Sequence, residues 1–448
     1  AAIQHPICDC FMFESRPGPL TNKMYHLMLG RSTGKVMWSY VSTPHLTSRE
    51  HLRRPRLGSW YSYPVDEREV EMQGFTVVAS GAAPIYWGAG NRVRDKGSLE
   101  HLQSPFEFLE RNERLLQSAR PVPYVGILTS TSTIDWYRYK PNGDAGYTPS
   151  FYYGAFAALA DARVQAEPFH ESRLTLETLS RYPVLYLPNV ACLSDGQAAD
   201  IREYVRRGGG LVASYETSLF DGHGRRRENF ALADVFGVNW KESPDWWTDL
   251  FLEFQDGRQP RIYDAGTRVP QDPDVTVVEA ARATVVLANT VQAARRQLVS
   301  PGLVFHRFGK GRVIYLAGSP EAVYFESRLT PVRELIQKVV LLLAGDTPQP
   351  FRVKAPAGVY ANLAETNGGR LLHLVLDVGG KWKGAVSREE YVAVPGIAVE
   401  VHVPAGKSVR AVRLLRSGRS AAFQVHGNYV AVELSPVEIY EGVQIELV

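Results

Sequence analysis

Residues 184–221 read VLYLPNVACLSDGQAADIREYVRRGGGLVASYETSLFD, and the succession of signals in this stretch decides the fold. Val184-Leu185-Tyr186-Leu187 is an unbroken apolar run, the pattern of a parallel strand buried on both faces. Ser194-Asp195 supplies an N-cap for a helix over 196–207, with Ala199, Ile201, Tyr204 and Val205 on a helical face. Gly208-Gly209-Gly210 stops that helix, and Leu211-Val212-Ala213-Ser214 begins another buried strand. The glycines follow a helix and precede a strand, the reverse of a phosphate-binding loop, so they read as a C-cap and turn. Strand, helix and strand in this order form one unit of a doubly wound parallel sheet.

Working outward, Tyr124-Val125-Gly126-Ile127-Leu128 is a further buried strand, with a helix starting near Ser150. Arg312-Val313-Ile314-Tyr315-Leu316 predicts another strand, and a helix is expected over 330–344. Residues 121–347 therefore read as a flavodoxin-like α/β domain with a β-rich insertion around 240–310. Residues 1–120 alternate apolar runs (10–14, 35–41 and 84–88) with helical stretches (22–29, 66–79 and 105–118). That is the pattern of a parallel sheet with crossover helices. Residues 42–64 read as a long polar, aromatic loop. From Pro348 onward, period-two alternation (371–378, 399–403, 409–415, 429–434, 443–448) predicts an antiparallel β-sandwich.

Composition excludes several classes. The 448 residues are 45% hydrophobic and 22% charged, with 50 Lys+Arg against 47 Asp+Glu. No basic stretch points to nucleic acid, the densest cluster being Arg225-Arg226-Arg227 in an expected loop. No apolar run has the length needed to span a bilayer, so no membrane is expected. Three cysteines cannot build a disulfide framework. No HExxH or CxxC pair occurs, and Cys8 and Cys10 point to opposite faces of a strand. No metal and no cofactor are expected.

The middle region also carries YVGILTSTSTIDWYRY (124–139), FYYGAFAALADARVQAEPF (151–169) and NFALADVFGV (229–238). With residues 184–221, these stretches resemble the trimerisation domain of family 42 β-galactosidases, which is itself similar to class I glutamine amidotransferases. The resemblance covers 121–347. It implies a homotrimer, and it implies that 1–120 is the C-terminal part of a (β/α)8 barrel, a passage in which EMQGFTVVASGAAPIYWG (71–88) resembles the run into the last strand. The expected division is thus 1–120 barrel part, 121–347 trimerisation domain and 348–448 β-sandwich. Eight strands close such a barrel and three are visible. The opening Ala-Ala-Ile, without Met or a signal pattern, fits an expectation that the earlier strands lie upstream. The compartment is left open.

On this resemblance, Glu14, Trp38/Tyr40 and Trp87 sit at the C-terminal ends of the sixth, seventh and eighth strands. Glycoside hydrolysis needs two carboxyl groups about the scissile bond. Glu14 is the carboxylate at a strand end, and it is expected to act as general acid/base among aromatic rings. Family 42 places a nucleophile after the seventh strand, where this chain has Trp38-Ser39-Tyr40. A sixth-strand Glu is closer to the α-L-fucosidase-like barrels, whose nucleophilic Asp lies on an earlier strand. Trp38, Tyr40, Tyr86, Trp87 and Trp136 are the expected sugar-stacking residues, with Trp60, Tyr61 and Tyr63 in the intervening loop. His45 and His51 read as solvated loop residues. An amidotransferase reaction is not expected. The turn after the central strand carries Tyr215-Glu216-Thr217 rather than Cys, Ser319-Pro320-Glu321 stands where a His would, and Cys192 reads as a small buried hydrophobe. The expected partner is a carbohydrate. The competing expectation is a non-catalytic carbohydrate-binding or assembly protein on a degenerate barrel.

Overall fold

The computed structural model describes residues 10–13, 19–42, 44–48, 60–64, 66–87, 100, 102–137, 149–244, 249–271, 273–294, 297–379 and 388–448. The chain divides into two compact units, one formed by Pro123–Pro348 and the other by Pro6–Val122 together with Gln349–Val448.

The discontinuous unit opens with β1 (Cys10–Phe13), α1 (Leu20–Arg31) and β2 (Val36–Ser42). Next come β3 (Pro44–Ser48), β4 (Trp60–Pro64), α2 (Glu67–Ala79), β5 (Ala83–Trp87), α3 (Gln103–Ser118) and β6 (Arg120–Pro121). Strands β1, β2 and β5 form a parallel sheet, in register Met12↔Trp38 and Trp38↔Ala83. Helix α2 starts where Asp66 accepts a hydrogen bond from the Arg68 amide at 2.9 Å, satisfying one of the amides left over at a helix start. One face of the sheet buries Met37 and Val41 against Leu27 of α1 and Val70 and Val77 of α2. The stretch 42–64 is not the uninterrupted loop its composition suggested: β3 and β4 pair as an antiparallel hairpin, from Pro44↔Pro64 to Ser48↔Trp60.

The second unit contains β7 (Val125–Thr129), α4 (Thr131–Trp136), α5 (Pro149–Asp161), β8 (Ala166–His170), α6 (Leu176–Leu179), β9 (Val184–Leu187), α7 (Asp195–Arg207) and β10 (Gly210–Ser214). After α8 (Ala233–Phe236) come β11 (Val238–Glu242), β12 (Leu250–Phe254), β13 (Arg268–Pro270), β14 (Val277–Ala280), β15 (Val285–Gln292), β16 (Gln297–Phe308) and β17 (Gly311–Leu316). Helices α9 (Pro320–Ser327) and α10 (Thr330–Ala344) close it. Its main sheet has the order β13-β12-β15-β16-β17-β10-β9-β7-β8. The half from β17 to β8 is parallel, and β16, β15, β12 and β13 extend it antiparallel. In helix α7 the Ser194 side chain accepts from the Gln197 amide and Gln197 answers with the Ser194 amide, a complete capping box. The buried face of α7 runs through Ala198, Ile201, Tyr204 and Val205. Ala199, expected there, is exposed because it stands about 100° around the axis from Ala198.

The C-terminal segment belongs to the first unit and adds β18 (Phe351–Lys354), β19 (Val359–Thr366), β20 (Gly369–Leu376), β21 (Ala398–His402), β22 (Val409–Leu414), β23 (Gln424–His426), β24 (Tyr429–Glu433) and β25 (Tyr440–Leu447). Together with β6 these strands form two antiparallel sheets, β18-β21-β24-β23 and β22-β25-β20-β19-β6. Val399, Val401, Val430 and Val432 of one share a core with Leu363, Leu372, Leu374 and Val443 of the other. The outer face of the second sheet receives helix α2. Phe75 stacks on Tyr440 with centroids 4.3 Å apart, and Asn362 donates to the carbonyl of Ala79.

Candidate functional site

Alternation along β1, β2 and β5 sorts the expected sugar-binding residues onto two faces. Met37, Ser39 and Val41 are buried on the helical side, while Val36 and Trp38 are exposed on the other, Trp38 at 40%. Register adds Met12, also exposed, to the Trp38 side, with Ala83 and Ile85 opposite Trp38 and Tyr40. The result is a partly open apolar face with an indole near its centre, next to the half-buried Tyr40. Such a face suits the C–H side of a pyranose, which stacks on aromatic rings. The backbone of Trp87 pairs with Ser42 at the C-terminal ends of the strands.

Tyr86 belongs to the other side. It is opposite Val41 in register, its hydroxyl fills the space beside Gly74 of α2, and its ring lies 5.2 Å from that of Phe106. Burial and then the Glu71 charge hold its phenol well above the usual tyrosine range. It braces the helices behind the sheet and does not share a face with Trp38. Glu14 lies outside the described residues, as do Cys8, His51 and the side chains of His45, Trp60, Tyr61, Tyr63 and Trp87.

Behind the sheet is a charged network that sequence reasoning missed. Lys23 of α1 is 6% exposed and donates to the carbonyl of Tyr40 at 3.3 Å, tying the helix to the end of β2. Burial lowers its ammonium to about 7, with Glu69 opposing that shift. Glu69 of α2 accepts from Arg388 at 2.5 Å and from Tyr391 at 3.1 Å. Arg388 also donates through Nε to Asp377 at 2.7 Å. Nearby, Glu71 accepts from Ser104 at 2.9 Å and from Arg416 at 2.7 Å. A Lys and two Glu on otherwise buried helix faces were the available signal, since such residues are almost never buried unless paired.

In the continuous unit, Trp136 ends α4 just beyond β7, at the C-terminal edge of the parallel strands, and is 57% exposed. Its neighbour Tyr137 is buried and donates its hydroxyl to Glu216. At the same edge, Glu171 accepts from Ser130 Oγ at 2.7 Å and from the Ser132 amide at 2.8 Å. His170 Nδ1 accepts from the Ser172 amide at 3.1 Å, which assigns the ring proton to Nε2, 2.5 Å from Thr131 Oγ1. That imidazole donates to the threonine and does not act on it as a base. Tyr215, after β10, adopts the left-handed region with φ of 50°. Ser214 donates to the fully buried Glu321, which also takes the Tyr186 hydroxyl at 2.9 Å. Cys192 is buried, and burial raises its thiol to about 12, far from a reactive thiolate.

Comparison with known proteins places these observations. Residues 156–335 match the family model described as the β-galactosidase trimerisation domain. No curated protein matches the sequence significantly. Among solved structures, α-L-fucosidase isoenzyme 2 from Paenibacillus thiaminolyticus is similar with a TM-score of 0.73 at 17% identity, over 95% of this chain and 63% of that one. The β-galactosidase from Bacillus circulans sp. alkalophilus gives 0.70 at 15% identity, over 98% and 60%. A GH42 β-galactosidase from G. stearothermophilus gives 0.69 at 14% identity, over 98% and 59%. The chain thus spans between 59% and 63% of the length of these structures. Residues 156–335 thus match the trimerisation-domain model of the β-galactosidases, and the chain shares the mixed α/β fold of these solved structures.

Proposed function

We propose that the protein hydrolyses a glycosidic bond, β-galactosidase-like or α-L-fucosidase-like, with retention of configuration and as a homotrimer. The observation that carries this reading is the open apolar face of Met12, Val36 and Trp38 beside Tyr40, on a parallel sheet backed by helices. The strand order β8-β7-β9-β10-β17 supports a flavodoxin-like scaffold for the trimerisation domain. The two antiparallel sheets with their shared core support the β-sandwich, and the parallel β1-β2-β5 sheet supports the barrel part.

The proposed catalytic residue is Glu14. The sequence puts Glu14 directly after the apolar run Cys10-Phe11-Met12-Phe13, the expected end of a barrel strand. A carboxyl group can serve as general acid where neighbouring aromatic rings desolvate it in part, and that is the environment proposed for Glu14. It would protonate the leaving glycosidic oxygen while a second carboxylate attacks the anomeric carbon. As a carboxylate it would then take a proton from the water that releases the sugar. Trp38, Tyr40 and Trp87 are proposed to shape the sugar subsite, and Trp136 to complete the site of a neighbouring subunit in the trimer. Tyr86, turned toward α2, is left out.

One observation favours a second reading, a carbohydrate-binding or assembly protein. Among the described residues, β1, β2 and β5 bear no carboxylate. A panel of 4-nitrophenyl glycosides offered to the full-length protein separates the two. Turnover of a galactoside or fucoside, raised in KM by Trp38→Ala, supports the enzyme. Calorimetric sugar binding without turnover supports the alternative.

A further inference from the structure

We propose that the trimerisation domain carries a binding cleft for a small oxyanion attached to an apolar body, formed where β15, β16 and β17 meet α10. The cleft is about 470 Å³ and is lined by Gln259, Pro260, Val285, Phe305, Arg307 and Arg312, with Leu342 on the helical side. That size is typical of small-molecule sites.

The register builds the chemistry. Arg307 of β16 lies directly opposite Arg312 of β17, and Phe305, two residues earlier, lies opposite Val285 of β15. Two guanidinium groups therefore project beside an apolar floor. Like charges directly opposite on neighbouring strands are destabilising unless something offsets them. Among the described residues, no carboxylate forms an ion pair with Arg307 or Arg312. Arg312 donates Nη2 to the carbonyl of Leu343 at 3.0 Å, which fixes its plane. It also lies so close over Gly345 that a Cβ there would fall 2.0 Å from Nη2. Gly345 has φ of 60°, so the backbone under the guanidinium takes a form that suits glycine. Arg307 is exposed and lies 5.7 Å from the Phe305 ring centroid. Two fork-shaped donors on one floor match a carboxylate, sulfate or phosphate, which guanidinium groups bind in bidentate fashion. Phe305, Val285 and Leu342 offer the apolar remainder of the ligand a surface to cover.

Calorimetric titration of the full chain with phenyl phosphate, phenyl sulfate and benzoate, against inorganic phosphate and phenol, tests this. At least one aryl anion should bind saturably with one site per chain, at least tenfold more tightly than inorganic phosphate or phenol, and more weakly as salt is added. The order among the three identifies the oxyanion. Arg307→Gln, at an exposed position, should keep the melting temperature and weaken that binding at least tenfold. Val285→Asp, which sets a negative charge on the floor, should weaken it independently. Binding unchanged in Arg307→Gln, or no saturable binding of any of the three up to about 10 mM, would overturn the proposal.

Discussion

The buried ion network behind the β1-β2-β5 sheet makes a quantitative prediction through Glu69→Gln. Glu69 is 1% exposed and accepts from Arg388, Tyr391 and Gln73, the last at 3.2 Å. The substitution keeps the shape but removes the charge that faces both Arg388 and Lys23. Removing one partner of a buried ion pair costs about 3–5 kcal/mol, because the other is left uncompensated. Arg388 retains Asp377, which is partly solvated, so the lower end applies, about 3 kcal/mol. For a unit of roughly 200 residues, each kcal/mol lowers the melting temperature by about 2–4 °C, giving a fall of about 6–12 °C. Scanning calorimetry of the full chain reads this, and the transition expected to move is that of the compact unit that holds Glu69. Replacing Glu69 and Arg388 together by Leu and Met should recover part of the loss, since the most buried pair leaves together and the charges that lose a partner are the partly solvated Asp377 and Lys23, which burial already holds near 7. A fall of less than 2 °C in the single variant, or a double variant worse than both singles, would refute the reasoning.

Three further outcomes follow from the same physics. Lys23 has its folded value near 7, below that of the unfolded chain, so the unfolded state holds the extra proton and stability should rise from pH 7 toward pH 10. Lys23→Met should flatten that slope and raise the melting temperature at pH 7. His373 is buried, contacts the Tyr440 hydroxyl at 2.8 Å and is held neutral down to about 3 by burial and then by Arg31. Its contribution is complete above the ordinary histidine range and is lost as pH falls from about 6.5 toward 3, so His373→Gln should make acid unfolding less steep. In the other unit, Gly154 lets α5 approach α9 so closely that a Cβ would lie 1.9 Å from the Glu321 carbonyl oxygen. Gly154→Ala should cost about 1–3 kcal/mol in the transition of that unit, and an unchanged transition would remove the close approach from the account.

The parallel strands of the continuous unit were legible because their chemistry is local. An apolar run such as Val184–Leu187 has nowhere to go but a sheet buried on both faces, and Ser194 with Gln197 marks the start of α7 within four residues. Strand β8 was not read, since it carries Glu167 and Pro168. Glu167 is tolerated there because Tyr182 donates to it at 2.9 Å, a partner supplied only by the tertiary fold. The same holds for β19, where Asn362 interrupts the apolar pattern and reaches the carbonyl of Ala79. Around the candidate site, the sequence pointed to Trp38 and Tyr86 alike as aromatic residues at strand ends. Only the register of β2 with β5 puts the first on the open face and the second against α2. The ion pair of Glu69 with Arg388 joins residues 319 positions apart, beyond the reach of any local pattern.

The role of Glu14 is tested most directly by the leaving-group dependence of turnover in the full-length protein. Wild type and Glu14→Gln are compared on two glycosides of the preferred sugar, one with a 2,4-dinitrophenyl and one with a 4-methoxyphenyl leaving group. A missing general acid should slow cleavage of the poor leaving group by about 10²–10⁴-fold. Glycosylation with dinitrophenolate, which needs no proton, should be little affected. Equal rates for wild type and variant on the methoxyphenyl glycoside would contradict the account and remove Glu14 from the chemistry.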